Sequence, residues 1–441
     1  MTTPTVPVHG RRAAAVATLV LGVVFVAAVT IILFHSPRWL LAAWLGMVIT
    51  IFGLSRAFGP PSLARTASRV LTVSGIVVML VALIELAIDS PWATVALFVL
   101  LIAIGFVGTY ALRSPAPVIA RLSAQHPVLL VNPKSGGGKA TKAGLADIAR
   151  AKGIEVRVLE KHDDLTEMAR DAIAGGADAV AMAGGDGSLG YVATATIEAG
   201  VPFICIPAGT RNHFARDLGL DRSDVVGALD AFNGEMRIID YASVNGRVFV
   251  NVASLGLYAT IVSDPSYRDA KAETTIGTMQ KLEESGERFD LHFTDAAGHD
   301  RASADLIMVS NNRYTVTGLL TDIGKRERLD RGELGVLMLE IPDAKGVAKF
   351  ATLYAAGTVN RYEGWEQWEA AQFRVGSGSS VPIGVDGETI AMEPPLEFTI
   401  HRGAFTVAVP PGTPYGPGVS PLGTKQGLSR LWAVAMGRPL D

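Results

Sequence analysis

The sequence predicts a multidomain chain: an N-terminal four-helix transmembrane region, then an α/β domain on a parallel sheet, then an antiparallel β-rich domain. Three observations predict it. Four long apolar segments fall in the first 112 of the 441 residues. Between 127 and 236, short apolar runs alternate with glycine-rich loops and amphipathic stretches, the pattern of a parallel sheet covered on both faces. From 237 to 410 the runs turn short and alternating, with Gly, Asn and Asp between them. The domains read as 13–112, 127–236 and 237–410, with a Pro- and Gly-rich tail at 411–441.

Residues 13–34 are almost unbroken apolar sequence, about the twenty residues that cross a bilayer. The segment is too long for a signal peptide and lacks a cleavage pattern. Residues 39–54 form a shorter second segment, and 70–88 and 92–112 are full length. Arg11 and Arg12 precede the first, Arg56, Arg65 and Arg69 separate the second and third, and Arg113 and Arg121 follow the fourth. By the positive-inside rule both termini and the later domains are cytoplasmic, at the cell membrane. Glu85, near the end of the third segment, reads as a solvated interfacial residue. The apolar excess, 49% of residues against 18% charged, is thus local. Residues 1–126 carry a net charge of +6, leaving −9 on the rest, so nothing suggests a nucleic-acid partner. The single cysteine, Cys205, excludes an intramolecular disulfide and a cysteine-based zinc site, and inside an apolar strand it reads as a buried structural thiol.

Ser114-Pro115-Ala116-Pro117 breaks helix and makes a stiff linker. Strands are expected near 128–132, 154–160, 179–183 and 202–206. Three of them run into loops that open helices: Asn132-Pro133-Lys134-Ser135-Gly136-Gly137-Gly138-Lys139, Gly184-Gly185-Asp186-Gly187-Ser188, and Pro207-Ala208-Gly209-Thr210-Arg211-Asn212-His213. A parallel sheet sets such loops along one edge, where ligands bind. In the second loop, glycines permit unusual backbone conformations and close approach, and the helix start favours an anion. Asp186 then fits a magnesium ion held between carboxylate and phosphate, or else a local turn cap. Lys134, Lys139, Arg211 and Arg216 are open between phosphate clamps and solvated charges, and His213 reads as a packing or capping residue. Val244-Asn245-Gly246-Arg247 signals a hairpin. A short helix is expected at 428–436, with no role assigned.

Two familiar motifs are excluded. The first loop has Pro133 where a Walker loop needs Gly and Ala140 where it needs Ser or Thr. The second fits GxGxxG, but no acid follows between Glu198 and Asp217, so it is not a dinucleotide fingerprint.

Taken in order, the three loops resemble the diacylglycerol kinase catalytic domain family, a relative of sphingosine kinases and, more distantly, NAD kinases. Arg237-Ile238-Ile239-Asp240, Phe249-Val250-Asn251-Val252-Ala253-Ser254-Leu255-Gly256 and Val385-Asp386-Gly387-Glu388 extend the resemblance over about 127–410. It implies a diacylglycerol kinase-like fold with ATP and Mg2+ as cofactors. Asn132, Pro133, Ser135, Gly136, Gly184, Gly185, Gly187, Ser188, Gly209 and Thr210 correspond to nucleotide contacts, with Asn212 shaping the site. Asp186 would orient phosphate and metal. Glu388, from its own residues either a hairpin turn residue or a base, matches the family's general base. The expected function is phosphoryl transfer from ATP to a hydroxyl of a diacylglycerol-like membrane lipid. A sphingoid base or glycolipid acceptor, and an ATP-responsive sensor without transfer, are the alternatives. Three departures stand out. Ser188 replaces a more usual Thr, and Leu159-Glu160-Lys161 lacks the Thr common there. In Leu329-Asp330-Arg331-Gly332-Glu333-Leu334, Arg331 takes the place of an Asp that in many bacterial members holds a structural magnesium, so Asp330 or Glu333 would compensate or Arg331 would supply a fixed charge.

Overall fold

The computed structural model describes residues 8–35, 41–50, 72–78, 81, 85, 88, 91–112, 118–256, 289–314, 324–326, 328–355, 358–414 and 425–437. They form two compact units, one from Pro115–Gly418, the other from Thr5–Ser114 with Val419–Asp441.

The second unit holds two long helices, Val8–His35 and Pro91–Leu112. Their apolar stretches, Gly10–Ile31 and Pro91–Leu112, are 22 residues each. At the helical rise, 22 residues span about 33 Å, enough for a hydrocarbon core of about 30 Å. Val20, Val23, Phe98 and Ile102 point outward from them. Four spans were expected, and among the described residues two helices are long and apolar enough to cross a membrane. The second expected span is a shorter apolar helix, Leu41–Thr50, and the third is helical over 72–78. These two pieces pack tightly, since a Cβ on Gly75 would lie 2.6 Å from the Thr50 amide nitrogen. Apart from the single helical positions 81, 85 and 88, the remainder of both segments, together with Arg56, Arg65, Arg69 and Arg113, lies outside the described residues. The tail contributes a helix, Lys425–Ala435, which packs on the long pair.

The strands of the other unit, in chain order, begin with β1 (Val118–Arg121), β2 (Pro127–Val131), β3 (Glu155–Val158), β4 (Ala179–Gly184), β5 (Phe203–Pro207), β6 (Glu235–Val244) and β7 (Arg247–Phe249). They continue with β8 (Val252–Gly256), β9 (Asp290–Thr294), β10 (Asp300–Ser303), β11 (Leu306–Asn311), β12 (Leu334–Leu339) and β13 (Trp365–Ala370). Last come β14 (Gln372–Val375), β15 (Val381–Val385), β16 (Glu388–Met392) and β17 (Leu396–Val409). The expected parallel strands are β2, β3, β4 and β5, all mutually parallel in the order β5-β4-β2-β3. Every residue of β4 and β5 is buried, as strands covered on both faces require. The Leu165–Ala174 helix starts where Asp164 accepts hydrogen bonds from the Thr166 and Glu167 amides. The Asn245-Gly246 turn between β6 and β7 has φ of 47° and 81°, the hairpin geometry expected from the sequence.

A second, six-stranded antiparallel sheet runs β13-β12-β11-β8-β15-β16. The boundary expected at 236/237 does not separate the two sheets. β6 straddles it, and β17, from the far end of the chain, fills the slot between β6 and β5 in the first sheet. Its Phe405 joins Phe203 and Phe214 in an aromatic cluster beneath the loops, with ring centroids 5.5–6.3 Å apart.

Candidate active site

The three glycine-rich loops lie together, and contact between their backbones is what demands glycine. None of Gly184, Gly185 and Gly187 has a left-handed φ, so the expected need for unusual conformations there is corrected to a need for space. A Cβ on Gly209 would fall 2.4 Å from Gly185 Cα, and one on Gly187 would meet Glu388 Oε1 at 3.3 Å. Gly136 needs both kinds of freedom: its φ is +56°, and its Cβ would lie 2.4 Å from Ala208 O. Side chains complete the joints. Asn132 donates through Nδ2 to Ser188 Oγ at 3.3 Å and accepts from the Lys134 amide at 3.1 Å. Pro133 and Ser135 are half-buried beside it, and Thr210 is exposed at the third loop's tip. Asn212, buried and left-handed at φ 52°, accepts from Gly209 N at 2.9 Å and donates to Pro207 O and Gly209 O.

Asp186 opens the Asp186–Ala199 helix, whose first amides face the loop. Its carboxylate reaches across to the third loop, accepting from His213 N at 3.0 Å and Phe214 N at 3.1 Å, and from Asn251 Nδ2 at 3.1 Å. Asn251 is in turn gripped by Arg326, whose Nη2 donates to Asn251 Oδ1 at 2.6 Å. The Arg326 guanidinium, fully buried, also binds Asp217 Oδ2 at 2.7 Å and the carbonyls of Val250 and Asn311. It lies 5.1 Å from the Tyr314 ring centroid. Burial pushes the Tyr314 hydroxyl above its usual range.

The opposite wall comes from the β15–β16 hairpin. Asp386 and Gly387, with φ of 47° and 94°, are its two-residue turn, and Glu388 is the first residue of β16. Asp386 points inward, accepting from the amides of Val250, Asn251 and Val252 at 2.8, 2.8 and 3.0 Å. Burial pushes its pKa up to about 6 against those three donors, with the Asp186 charge adding to the rise. Glu388 points to the second glycine-rich loop. Its Oε2 accepts from the Tyr191 hydroxyl and from Arg247 Nη2 at 3.4 Å, while among the described residues Oε1 takes no hydrogen bond. Arg247 also donates to the Tyr191 oxygen at 3.1 Å and lies 5.2 Å from its ring centroid. Burial, then the bond to Glu388, raises the Tyr191 pKa. Thr166, Gly187, Tyr191, Thr194, Arg247 and Glu388 line a cavity of about 190 Å³ there. A second, of about 110 Å³, lies beside Asp186, Arg211, His213, Asn251 and Tyr314.

Sequence reasoning gave no role to Tyr191, Arg247, Asn251 or Arg326. Asn251 belongs to the Phe249–Gly256 motif and Arg247 to the Asn245-Gly246 hairpin, whereas Tyr191, one turn beyond Ser188, carries no motif signal of its own. Two of the four candidate clamps are committed to the scaffold: Lys139 Nζ donates to the carbonyls of Pro207 and Arg222, and Arg216 Nε binds Asp217 Oδ1 at 2.9 Å. Cys205 is buried, and its thiol is pushed well up by burial, as a structural role requires. At the Arg331 turn, the cation facing Asp330 is Arg328, bidentate at 2.8 Å on both oxygens, while the Arg331 amide donates to Asn312 Oδ1. Among the described residues no three of His, Cys, Asp and Glu converge on a metal site. Asp186, with one carboxylate position left beyond its three bonds, fits the habit of magnesium, which uses one or two carboxylates and completes its shell from phosphates and water.

Residues 126–244 match the diacylglycerol kinase catalytic domain family. A Pseudomonas aeruginosa (strain UCBPP-PA14) protein named "Probable lipid kinase YegS-like" is 27% identical over 306 residues, 65% of this chain and 95% of that one. The diacylglycerol kinase of Bacillus subtilis (strain 168) is 37% identical over 120 residues, 26% of this chain and 38% of that one. Among solved structures, a diacylglycerol kinase from Bacillus anthracis str. Sterne matches with a TM-score of 0.50 at 21% identity, covering 66% of this chain and 98% of that one, which speaks to the fold. The chain therefore carries a diacylglycerol kinase catalytic domain and is a kinase.

Proposed function

We propose that this protein is an ATP-dependent lipid kinase, a multi-pass membrane protein that transfers the γ-phosphate to a hydroxyl of a diacylglycerol-like lipid in the cytoplasmic leaflet. The observation that carries the reading is the Glu388 carboxylate against Gly187, with its Oε1 oxygen open beside the start of the Asp186–Ala199 helix. A base for an acceptor hydroxyl belongs there, across from an anion-binding helix start. Glu388 Oε1 takes the hydroxyl proton as the acceptor oxygen bonds to the γ-phosphorus, and the β–γ bridging bond breaks to release ADP. Tyr191 and Arg247 hold the other carboxylate oxygen and fix the direction of the base. The backbone amides of the second loop, with Asn132 and Ser188 at its edge, would hold the phosphates, and Asp186 would hold magnesium. Bound magnesium would neutralise developing phosphate charge. The apolar Val8–His35 and Pro91–Leu112 helices support a lipid acceptor by keeping the enzyme where such an acceptor resides.

The test is labelled ATP offered to the purified full chain in detergent with diacylglycerol, a sphingoid base or a glycolipid. Label is expected in diacylglycerol. Label in another lipid replaces the acceptor, and nucleotide binding with no lipid labelled overturns the lipid-acceptor reading.

A further inference from the structure

The Lys425–Ala435 helix plays no part in the chemistry above, and both of its sides are apolar. One side, with Leu431, Val434 and Ala435, is buried against Ala15, Ala111 and Leu112. The other carries Leu428 and Trp432, with Met436 one turn on and just past the helix end, where its amide donates to Trp432 O at 3.0 Å; the three are 52%, 58% and 52% exposed. The helix is fixed in place at its end, where Arg12 Nε donates to Ala435 O at 3.0 Å. Arg11 Nε does the same for Ala111 O at 3.2 Å, near the end of the Pro91–Leu112 helix. The short helix therefore sits where the first long helix begins and the second ends. That is one rim of the exposed apolar belt formed by residues such as Val20, Val23, Val99 and Ile102. Tyr110, half exposed, stands on the same rim.

We propose that Lys425–Ala435 is an interfacial membrane helix whose Leu428, Trp432 and Met436 stripe enters the bilayer surface beside the two spans. The proposal rests on the membrane reading of the long helices. Eleven residues reach about 16 Å, too short to cross, so the helix lies on the membrane. Its exposed stripe continues the belt that the spans turn to lipid, and that continuity selects lipid as the occupant. Trp432 and Tyr110 take the aromatic positions favoured at a membrane–water boundary. The tail is thereby tied to the membrane through the first residues of the chain.

Cys205 is 2% exposed within β5, so an introduced cysteine is the accessible thiol. Full-length protein carrying Leu428→Cys or Trp432→Cys is nitroxide-labelled and placed in phosphatidylcholine vesicles, and accessibility to oxygen and to a nickel chelate is read by electron spin resonance. Val99→Cys reports a lipid-facing span and Asp147→Cys an exposed position on the soluble unit. The proposal expects an oxygen-to-nickel ratio at 428 and 432 several-fold above that at 147 and close to that at 99. A lipid-like ratio at 99 with a water-like ratio at 428 and 432 overturns the interfacial helix and leaves the spans standing. Water-like ratios at all positions overturn both readings. Labels at 428 and 432 shielded from both reagents mean that protein, such as a second copy of the chain, covers the stripe, and this also overturns the proposal.

Discussion

Asp186 and Asp386 each precede a glycine at the site, yet burial and bonding give them opposite tasks. Asp186 is half-buried and uses its carboxylate to hold the third loop and Asn251, with one position to spare. Asp386 is buried, and its three amide bonds fasten the β15–β16 hairpin to the 250–252 segment. Its pKa of about 6 lies above the value near 3.9 of an unfolded chain, so between the two the folded protein binds more protons. The associated stability is full below about pH 3.9 and lost as pH rises through about 6, a change of about 3 kcal/mol. In thermal unfolding of the full chain across that window, the wild type should lose stability relative to Asp386→Asn as pH rises. Parallel curves would contradict this. The motif around Asp386, whose Asp-Gly pair the structure places at a hairpin turn, was legible through the family resemblance. The direction of each side chain was not, since it depends on what a distant strand presents.

At the scale of elements, the loops of the first sheet were legible because each follows a fully apolar run. The place of β17 was not: its alternation marks a strand but names no partner, and it joins β5 across just over two hundred residues through Val407 and Phe203. Arg326 escaped sequence reading for the same reason. Its partners come from three places, the His213–Asp217 helix, the 250–251 segment and the end of β11. By donating to Asn251 Oδ1 it turns Nδ2 toward Asp186. Arg326→Lys keeps a charge for Asp217 but cannot also hold the amide in that plane. Losing a hydrogen bond to a charged group costs about 1.5–3 kcal/mol, so kcat should fall by about tenfold or more. The KM for ATP should move less, because the loops that face the nucleotide keep their own joints. Steady-state kinetics on the folded variant decide this, and an unchanged kcat would remove Arg326 from the positioning of Asp186.

For the whole molecule, the contact between Arg11 and Ala111 places the start of the first long helix beside the end of the second. In a bilayer that arrangement needs an even number of crossings, which agrees with the arginine asymmetry of the sequence. Reporter fusions at Met1 and Asp441 should both give a cytoplasmic signal, whereas a periplasmic or extracellular signal from the C-terminus would separate the kinase from ATP. The two long apolar helices were legible from hydropathy alone, and the docking of the tail helix on them was not, because its apolar residues are split between a buried and an exposed side.

The most direct measurement is Glu388→Gln, assayed on one preparation for ATP affinity by calorimetry and for turnover with the best lipid acceptor. Gln keeps the shape and the Tyr191 contact but removes the proton-accepting charge. Affinity should stay near that of the wild type while turnover falls by about two to four orders of magnitude, the range for losing a general base. Turnover at the wild-type level, or a parallel loss of nucleotide binding, would contradict the role of Glu388 as the base that faces the phosphate loop.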